Sequence, residues 1–484
     1  MSNNLFITKL NEVYVKVHCE RGEAMELSEY FTFYVPGYKF MPAFRNKVWD
    51  GKIRLFNTFD HKIYYGLIPY IKQFCEERNY GIEIDSNVDI ANEFSVAEAA
   101  SFIEQLNSPF EVRDYQLKAF LYAIRNKRGL LISPTASGKS FIIYLITRYL
   151  NTKTLIIVPT VSLVSQLYKD FIDYGFDSQT NIHQIPFDKS KDSNKQIIIT
   201  TWQSIYKQPK EWFQQFNLVI GDEAHLFKAQ SLTTIMTNLT DCAYRFGLTG
   251  TLDGTQTHKL VLEGLFGREK RVTTTKELIE KGNLSEFKIK ALILKYDEES
   301  CSFLKKSKYK DEIDFLVANP KRNKFIRNLT LSLNGNTLVL YQLVEKHGKL
   351  LYDMIWAKCG DRKVFFVHGG VSAEDRELVR SITEKENDAI IVASYGTFST
   401  GINIRNLHNI VFASPSKSKI RTLQSIGRGL RLGDNKESAT LFDIADDLTY
   451  KSRKNFTLDH FIERMKIYNE EKFAYKIYEI NLKG

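Results

Sequence analysis

The octet Ser133-Pro134-Thr135-Ala136-Ser137-Gly138-Lys139-Ser140 follows directly on the apolar run 129–132. A strand that turns through such a loop into a helix offers backbone N–H groups and a helix N-terminus to phosphate oxygens. Pro134, Thr135, Ala136, Ser137 and Gly138 would form the cradle, and Lys139 would bring a point charge to the β and γ phosphates. The hydroxyl of Ser140 is placed to ligate Mg2+. Further on, Asp222-Glu223-Ala224-His225 follows the apolar run 218–220. A carboxylate at the C-terminal end of a strand lies where a metal above the sheet needs it. Asp222 would hold Mg2+ through water, and Glu223 would orient and deprotonate the attacking water. Together these segments imply that a nucleoside triphosphate is bound and hydrolysed, with ATP and Mg2+ as the cofactors.

A third group lies in Gln424-Ser425-Ile426-Gly427-Arg428-Gly429-Leu430-Arg431. Arg428 and Arg431 are three apart, so on a helix they share a face and reach one anion. Guanidinium groups stabilise the charge of phosphoryl transfer, an effect worth about 10³ to 10⁵ in rate. Alone, such a pair reads as a basic surface helix; the order of the other motifs makes it a candidate arginine finger.

Positioning these groups takes parallel sheets. Between about 110 and 285, β-branched runs alternate with helical stretches, at 130–132, 154–158, 196–200 and 218–220. The same alternation restarts after 286, at 337–341, 363–367, 389–393 and 409–412. Continuous apolar runs of this kind are buried parallel strands, so two successive α/β domains are expected. Before them, residues 1–107 mix short alternating strands with a basic, aromatic stretch, then a helix over 95–106 and a linker at Asn107-Ser108-Pro109. The domains expected are therefore 1–107, small and α+β; 108–285, binding ATP; and 286–484, ending in a helix. Leu458, Phe461, Met465, Tyr468 and Tyr475 fall near helical spacing, so that helix is expected over 458–478.

Bulk properties agree with a large enzyme. A chain of 484 residues is too long for one core. Its 67 Lys and Arg against 57 Asp and Glu leave a formal charge of +10, a surplus that favours a polyanionic partner without requiring one. The five cysteines are scattered with no Cys-x-x-Cys pair, which speaks against a zinc knuckle or disulfide framework and for a reducing compartment. The polar start lacks the pattern of a secretory signal, and no apolar run reaches membrane-spanning length.

Phosphate loop, Asp-Glu-Ala-His and Gln-x-x-Gly-Arg-x-x-Arg, in this order, resemble the superfamily 2 helicases and translocases. The resemblance covers residues 110 to about 450 and implies two tandem RecA-like domains, α/β in class, preceded by a small α+β nucleic-acid-binding domain. It also implies roles for further residues. Arg113 and Gln116, in Arg113-Asp114-Tyr115-Gln116, correspond to the segment that reads adenine, and Gln424 to a nucleotide contact. Pro159 and Thr160 resemble motif Ia, and Thr201, Trp202 and Gln203 motif Ib, both contacts to a strand backbone. Leu248-Thr249-Gly250-Thr251 resembles motif III; Thr249, Thr251 and His225 would couple hydrolysis to domain movement. Ser399-Thr400-Gly401-Ile402-Asn403 resembles motif V, giving Thr400 a strand contact and Gly401 a coupling role. Two departures stand out. Ala136 replaces the usual glycine of the loop, which is compatible if its φ is negative, and Asn403 replaces a common acidic residue.

The whole chain is similar to the phage recombination helicases of that superfamily, through Phe44-Arg45, Trp49-Asp50-Gly51-Lys52-Ile53-Arg54-Leu55 and Lys207-Gln208-Pro209-Lys210-Glu211-Trp212. This similarity implies ATP-dependent action on branched DNA: fork regression, Holliday-junction branch migration and R-loop unwinding in replication, recombination and repair. Single-stranded DNA and RNA–DNA hybrids, replication or recombination proteins as partners, and the cytoplasm of an infected bacterial host would go with it.

Candidate contacts to nucleic acid come from Lys39 to Lys62, where Lys39, Arg45, Lys47, Lys52, Arg54 and Lys62 face only Asp50 and Asp60. Phe40, Phe44, Trp49, Phe56 and Phe59 are interleaved with them. Cations would hold phosphates while rings stack on bases or wedge a junction; the competing reading is a small core with a solvated basic face. Arg45, Lys47, Trp49 and Lys52 are the residues favoured for DNA. A second basic run, Lys305-Lys306-Ser307-Lys308-Tyr309-Lys310, and Lys417, Lys419 and Arg421 are weaker candidates. The mechanism expected places ATP between two lobes, with Lys139 and the carboxylates on one and the arginines on the other. A duplex translocase that does not part strands, and a nucleic-acid clamp with a weak ATPase, remain alternatives.

Overall fold

The computed structural model describes residues 4–88, 91–185, 187–188, 190–252, 255–397, 404, 406–415, 418, 422–423, 425–427, 430 and 438–482. The chain divides into two compact units, residues 1–133 with 138–272, and residues 134–137 with 273–484.

In the first unit, strands β1 (Asn4–Lys9), β2 (Tyr14–His18), β3 (Thr32–Tyr34), β4 (Lys52–Arg54), β5 (Lys62–Tyr64) and β6 (Gly81–Ile84) come before the nucleotide loop. Four of them make a sheet of order β5-β2-β1-β6, and β3 pairs with β4 as a separate antiparallel ribbon. Leu5, Ile7, Val15, Val17 and Ile63 all point to one face and are buried, the period-2 pattern of a half-covered sheet. Leu27, from the helix Arg21–Tyr30, and Ile71 and Phe74, from the helix Ile68–Arg78, join them in one core.

Seven parallel strands follow: β7 (Arg128–Ile132), β8 (Thr154–Val158), β9 (Ile182–Gln184), β10 (Ile197–Thr201), β11 (Leu218–Asp222), β12 (Tyr244–Thr249) and β13 (Glu269–Arg271). Their order is β13-β7-β12-β11-β8-β10-β9. Every residue of β8 and β10 is buried, as expected where helices cover both faces of a parallel sheet. The small sheet and this one share a continuous core, from Leu5 and Phe74 to Leu130 and Phe266. Arg128 seals the seam: its Nη2 lies 2.9 Å from Glu12 Oε2, and its guanidinium sits 3.7 Å from the Tyr65 ring centre. Nearby, Tyr70 donates to the buried Glu263 carboxylate at 2.5 Å, and a Cβ on Gly66 would collide with the Glu263 carbonyl. The helix Val96–Gln105 begins with a Ser95–Glu98 capping box, and its Ala99 and Phe102 pack with Phe120 and Tyr149 of the larger sheet's helices.

The second unit repeats the architecture with β14 (Glu286–Lys295), β15 (Thr337–Tyr341), β16 (Val364–Val367), β17 (Ile390–Ser394), β18 (Asn409–Phe412), β19 (Ser438–Asp447) and β20 (Tyr475–Asn481). All pair in parallel, in the order β16-β17-β15-β18-β19-β14-β20. The two RecA-like sheets and the α+β domain before them thus match the expected fold class. The end of the chain needs a correction. Its helix spans Phe456–Glu470 and stops there, Lys472 turns through φ 57°, and Tyr475 opens β20 instead of continuing the helix. The edge of β14 explains this: residues 289–295 pair with 475–481, so its backbone groups find partners in β20.

Three fully buried arginines anchor the two sheets. In the second unit, Arg322 places Nε 2.7 Å and Nη2 2.9 Å from the Asp446 carboxylate, and Arg464 does the same for Asp443, at 2.9 and 2.7 Å. Both aspartates stand on β19. In the first unit, Arg245 on β12 donates to the carbonyls of Met236, Leu239 and Leu265 at 2.6–2.9 Å. These carbonyls close the helices Gln230–Asn238 and Gln256–Phe266.

Candidate functional site

Strand order gathers the sequence motifs at the C-terminal edge of the first seven-stranded sheet. The phosphate loop leaves β7, the segment 248–251 ends the neighbouring β12, and Asp222 ends β11 beside it. Continuing across, Pro159 and Thr160 leave β8, and Thr201 ends β10. Nucleotide motifs therefore occupy one half of the edge and the expected strand contacts the other, with β11 between them.

Within the loop, Gly138 has φ 77°, a conformation that favours glycine, and a Cβ there would stand 2.5 Å from Gln116 Nε2 and displace that amide. Gln116 is buried against the loop; its Oε1 accepts from the Arg113 N–H at 3.0 Å and its Nε2 donates to the Gly138 carbonyl at 3.4 Å. Arg113 Nη1 donates to the Tyr115 hydroxyl at 2.8 Å. Ser137 folds back on the Pro134 carbonyl at 2.7 Å, and Lys139 Nζ lies 3.4 Å from the Ser133 carbonyl. Ala136 departs from its expected backbone. Its φ is 67°, in the left-handed region, so the alanine adopts the conformation a glycine would take at a cost of about 1–2 kcal/mol. The cradle demands that turn whatever residue fills it.

Glu223 is a second left-handed residue, at φ 49°, where β11 breaks into the short helix Ala224–Lys228. Such conformations concentrate at functional sites. Asp222 Oδ1 accepts from the Glu223 N–H at 2.9 Å. Burial, then the negative charge of Glu223, push the Asp222 carboxyl up to about 6, while Lys139 opposes them. A divalent cation would relieve that pair of carboxyls, so the residues fit one. Ser140 fits as well: its hydroxyl lies 2.7 Å from that of Tyr174, and donating there leaves its lone pairs for a cation. Tyr174, distant in sequence and outside any motif, was missed by sequence reasoning; its aromatic neighbours Phe141 and Tyr144 would have been the signal.

His225 Nδ1 lies 2.9 Å from Thr249 Oγ1 and 3.3 Å from Glu223 Oε2. The Thr249 hydroxyl also stands 3.4 Å from Glu223 Oε2 and 3.1 Å from the Thr251 carbonyl. These contacts form a buried connection from the Asp-Glu-Ala-His segment to the end of β12. On the other half of the edge, Thr160 caps the helix Val161–Asp173 through the Leu163 N–H, and Thr201 Oγ1 lies 3.1 Å from Ser204 Oγ. Trp202 and Gln203 open the helix Trp202–Ile205. Thr400, Gly401, Asn403, Lys417, Lys419, Arg421, Gln424, Arg428 and Arg431 lie outside the described residues.

The basic stretch near the N-terminus separates into two sets. Arg54 is paired with Asp50, and Lys62 with Asp60 at 2.7 Å. Arg45 and Lys47 are exposed with no ion pair among the described residues, and Lys52 lies 5.0 Å from the Tyr34 ring centre. The rings divide too. Phe56 is core, Phe44 packs edge-on against Tyr38, and the Trp49 indole N–H donates to the Lys52 carbonyl at 2.9 Å. Phe40 and Phe59 are 77% and 96% exposed. Among the described residues, no helix is long and apolar enough to cross a membrane.

Comparisons with known proteins accord with this arrangement. Residues 8–85 match the N-terminal domain of the DNA helicase UvsW, residues 109–254 the res subunit of type III restriction enzymes, and residues 320–433 the conserved C-terminal helicase domain. The chain is 37% identical to the ATP-dependent DNA helicase uvsW of Enterobacteria phage T4, over 97% of its own length and 98% of that protein's. It is 26% identical to the DNA 3'-5' translocase XPB2 of Sulfurisphaera tokodaii, over 85% and 93% of the two chains. The crystal structure of T4 UvsW superposes with a TM-score of 0.53 at 35% identity, covering 99% of this chain and all of that one.

Proposed function

The chain belongs to the UvsW family of superfamily 2 DNA helicases, and from that premise we propose that it couples ATP hydrolysis to the remodelling of branched DNA. Fork regression, Holliday-junction branch migration and R-loop unwinding in the cytoplasm of an infected bacterium are the activities proposed. One observation carries the reading: along β7-β12-β11-β8-β10, the phosphate loop and carboxylates are joined laterally to the motifs that would grip a strand.

In this mechanism the loop 133–140 wraps the phosphates, with Gly138 allowing the close approach and Lys139 holding the terminal groups. Ser140 and Asp222 would hold Mg2+, which when bound supplies charge neutralisation across the β and γ phosphates. Glu223 orients the attacking water and takes its proton at the carboxylate. Arg428 and Arg431 supply guanidinium donors to the transferred group, and Gln116, Arg113 and Gln424 bind the nucleotide. Loss of the γ-phosphate changes what Glu223 touches, and His225 and Thr249 carry that change to β12 and Thr251. Pro159, Thr160, Thr201, Trp202, Gln203 and Thr400 hold the tracking strand, while Arg45, Lys47, Trp49 and Lys52 hold the branch. A differential grip between nucleotide states is the requirement for stepping.

A strand-displacement panel with ATP tests the proposal, using forked DNA, a four-way junction, an RNA–DNA hybrid and blunt duplex. Faster processing of the branched substrates is expected. ATP turnover stimulated by DNA with no displacement on any of them would replace it with duplex translocation, the reading favoured by the likeness to the archaeal translocase. Absence of stimulated turnover would leave a clamp. Glu223→Gln is expected to retain ATP and DNA binding while turnover falls by about 10² or more; near-normal turnover would remove Glu223 as the base.

A further inference from the structure

Two basic segments far apart in sequence lie side by side in the second unit. The first, Lys305-Lys306-Ser307-Lys308-Tyr309-Lys310, joins the helix Glu298–Leu304, which follows β14, to the helix Tyr309–Ala318. The second, Tyr450-Lys451-Ser452-Arg453-Lys454, joins β19 to the helix Phe456–Glu470. Because β14 and β19 are parallel neighbours, both segments follow the same C-terminal edge of the sheet. Three sets of contacts hold them together. Lys305 Nζ and Lys451 Nζ stand 5.4 and 5.7 Å from the centre of the Tyr450 ring. Tyr309 meets Phe456 edge-on, with ring centres 6.1 Å apart. Glu312, 1% exposed, accepts from the Phe456 and Thr457 N–H groups at 3.0 and 2.8 Å and from Asn455 Nδ2 at 2.8 Å. One carboxylate of the first segment's helix thus closes the N-terminus of the second segment's helix.

The result is a surface dominated by one sign of charge. Lys305, Lys306, Lys308 and Lys310 are exposed, as are Lys451, Arg453 and Lys454, and none has an ion-pair partner among the described residues. Neither segment contains Asp or Glu. Neighbouring acids are engaged elsewhere: Glu312 in the helix cap, Asp314 with Lys346 at 2.7 Å, and Asp311 with the Lys308 N–H at 2.9 Å. Asp459, in the first turn of the helix Phe456–Glu470, stays exposed against these seven cations. The turn that carries Lys451 and Arg453 is not a loose tail, since Tyr450 and Arg453 exchange two backbone hydrogen bonds of 3.1 Å.

Charge density and position point to the partner. Duplex DNA carries one negative charge per about 1.7 Å of axis, against about 3.4 Å for one strand, so it answers a compact group of cations better. Tyr309 and Phe456 are spent on each other at 84°, which favours contact with a backbone over stacking on bases. In the strand order β17-β15-β18-β19, the surface lies three strand spacings, roughly 14 Å, from β17, after which motif V comes. We propose that this surface holds a duplex arm of branched DNA by its phosphates, apart from the strand that the motor tracks. The proposal rests on the reading of the chain as a DNA helicase and adds a contact outside the ATP site, the strand-gripping motifs and the N-terminal patch.

The test uses the full chain, a four-way DNA junction and a single-stranded oligonucleotide of thymidines. Lys306→Glu combined with Lys454→Glu, one exposed site from each segment, is expected to weaken junction binding about ten-fold or more. The slope of log affinity against log salt should flatten by about two. Binding of the single strand, and ATP turnover at saturating single strand, should match the parent chain. Lys306→Arg with Lys454→Arg keeps the charge and should bind the junction as the parent does. Unchanged junction affinity and salt slope in the glutamate pair overturn the surface. An equal loss on the single strand overturns the duplex arm, and a loss in the arginine pair shows disturbed packing in place of lost charge and overturns it too. In each of these cases, DNA-stimulated turnover by the parent chain leaves the helicase reading intact. Absence of any DNA-stimulated turnover removes the helicase reading itself, and the proposal with it.

Discussion

The two seven-stranded sheets bury a cation in different ways. Arg464 and Arg322 in the second unit face formal negative charges on β19, through two-point contacts with Asp443 and Asp446. Among the described residues, Arg245 in the first unit meets no carboxylate in its hydrogen bonds. It faces three carbonyls at the ends of two helices, where aligned peptide dipoles sum to roughly half a negative charge each. Burial accordingly pulls the Arg245 pKa down to about 10, whereas at Arg464 burial is outweighed by the charge and hydrogen bonds of Asp443 together with Tyr468 and Tyr395, and its pKa is raised. The first unit also holds Glu223 in a left-handed conformation, directly after Asp222. The buried cation of the first unit is held by backbone carbonyls, while those of the second are held in side-chain charge pairs. A cation locked by a buried carboxylate cannot be rearranged cheaply.

The sharpest way to break this contrast is Asp443→Ala, which leaves Arg464 buried and uncompensated. A loss of about 3–5 kcal/mol is expected in chemical denaturation of the second unit. Replacing both partners, Asp443→Leu with Arg464→Met, should recover most of it; a double variant as unstable as the single one would show that the pair is more than mutual neutralisation. Arg245→Met should cost less, about 1–3 kcal/mol, because it removes a buried charge along with the donors that three carbonyls lose. An equal or larger loss than at Asp443 would end the distinction.

His347 sharpens the comparison through pH. It is buried between Asn323 and Ser414, and burial, aided by the positive charge of Arg322, pulls its pKa down to about 3. The imidazole is then neutral when folded but takes a proton near 6.5 when unfolded. Stability is complete above pH 6.5 and falls as pH drops from there toward 3, by about 1.4 kcal/mol per unit. His347→Gln should flatten that dependence in acid denaturation, and an unchanged slope would exclude the residue. The smallest effect expected is at Ala136→Gly. Relief of the left-handed alanine is largely offset by the extra freedom of glycine when unfolded, leaving a gain of at most about 1 kcal/mol in thermal stability. A clear loss would mean that the methyl group has a packing role.

Much of the fold could be read from the chain because buried parallel strands announce themselves as unbroken β-branched runs. Residues 154–158, 337–341 and 409–412 became strands with the bounds expected of them. Strand β14 was harder to see. It alternates buried Phe287, Ile289 and Ala291 with exposed Lys288 and Lys290, a weaker signal than a continuous run. Residues 475–478, expected to end the C-terminal helix because Tyr475 fits a helical period, open a strand instead, and pairing with β14 outweighed that local preference. Of the five rings in the basic N-terminal stretch, composition could not tell the buried Phe56 from the exposed Phe59. Nor could spacing show that Ala136 turns left-handed, since that is imposed by the path from β7 to the helix Lys139–Leu150.

Residue types and their order were enough to decide that this chain is an α/β protein with a phosphate loop, a carboxylate pair and an arginine segment, because each of those signals is carried by neighbours along the backbone. The tertiary structure alone decided which strand ends lie side by side, that His225 meets Thr249, that Tyr174 meets Ser140, and that Arg322 reaches across 124 residues to Asp446. The reason is physical: hydrophobic periodicity is a local property, whereas neutralising a buried charge and ordering parallel strands depend on partners that sequence separation does not reveal.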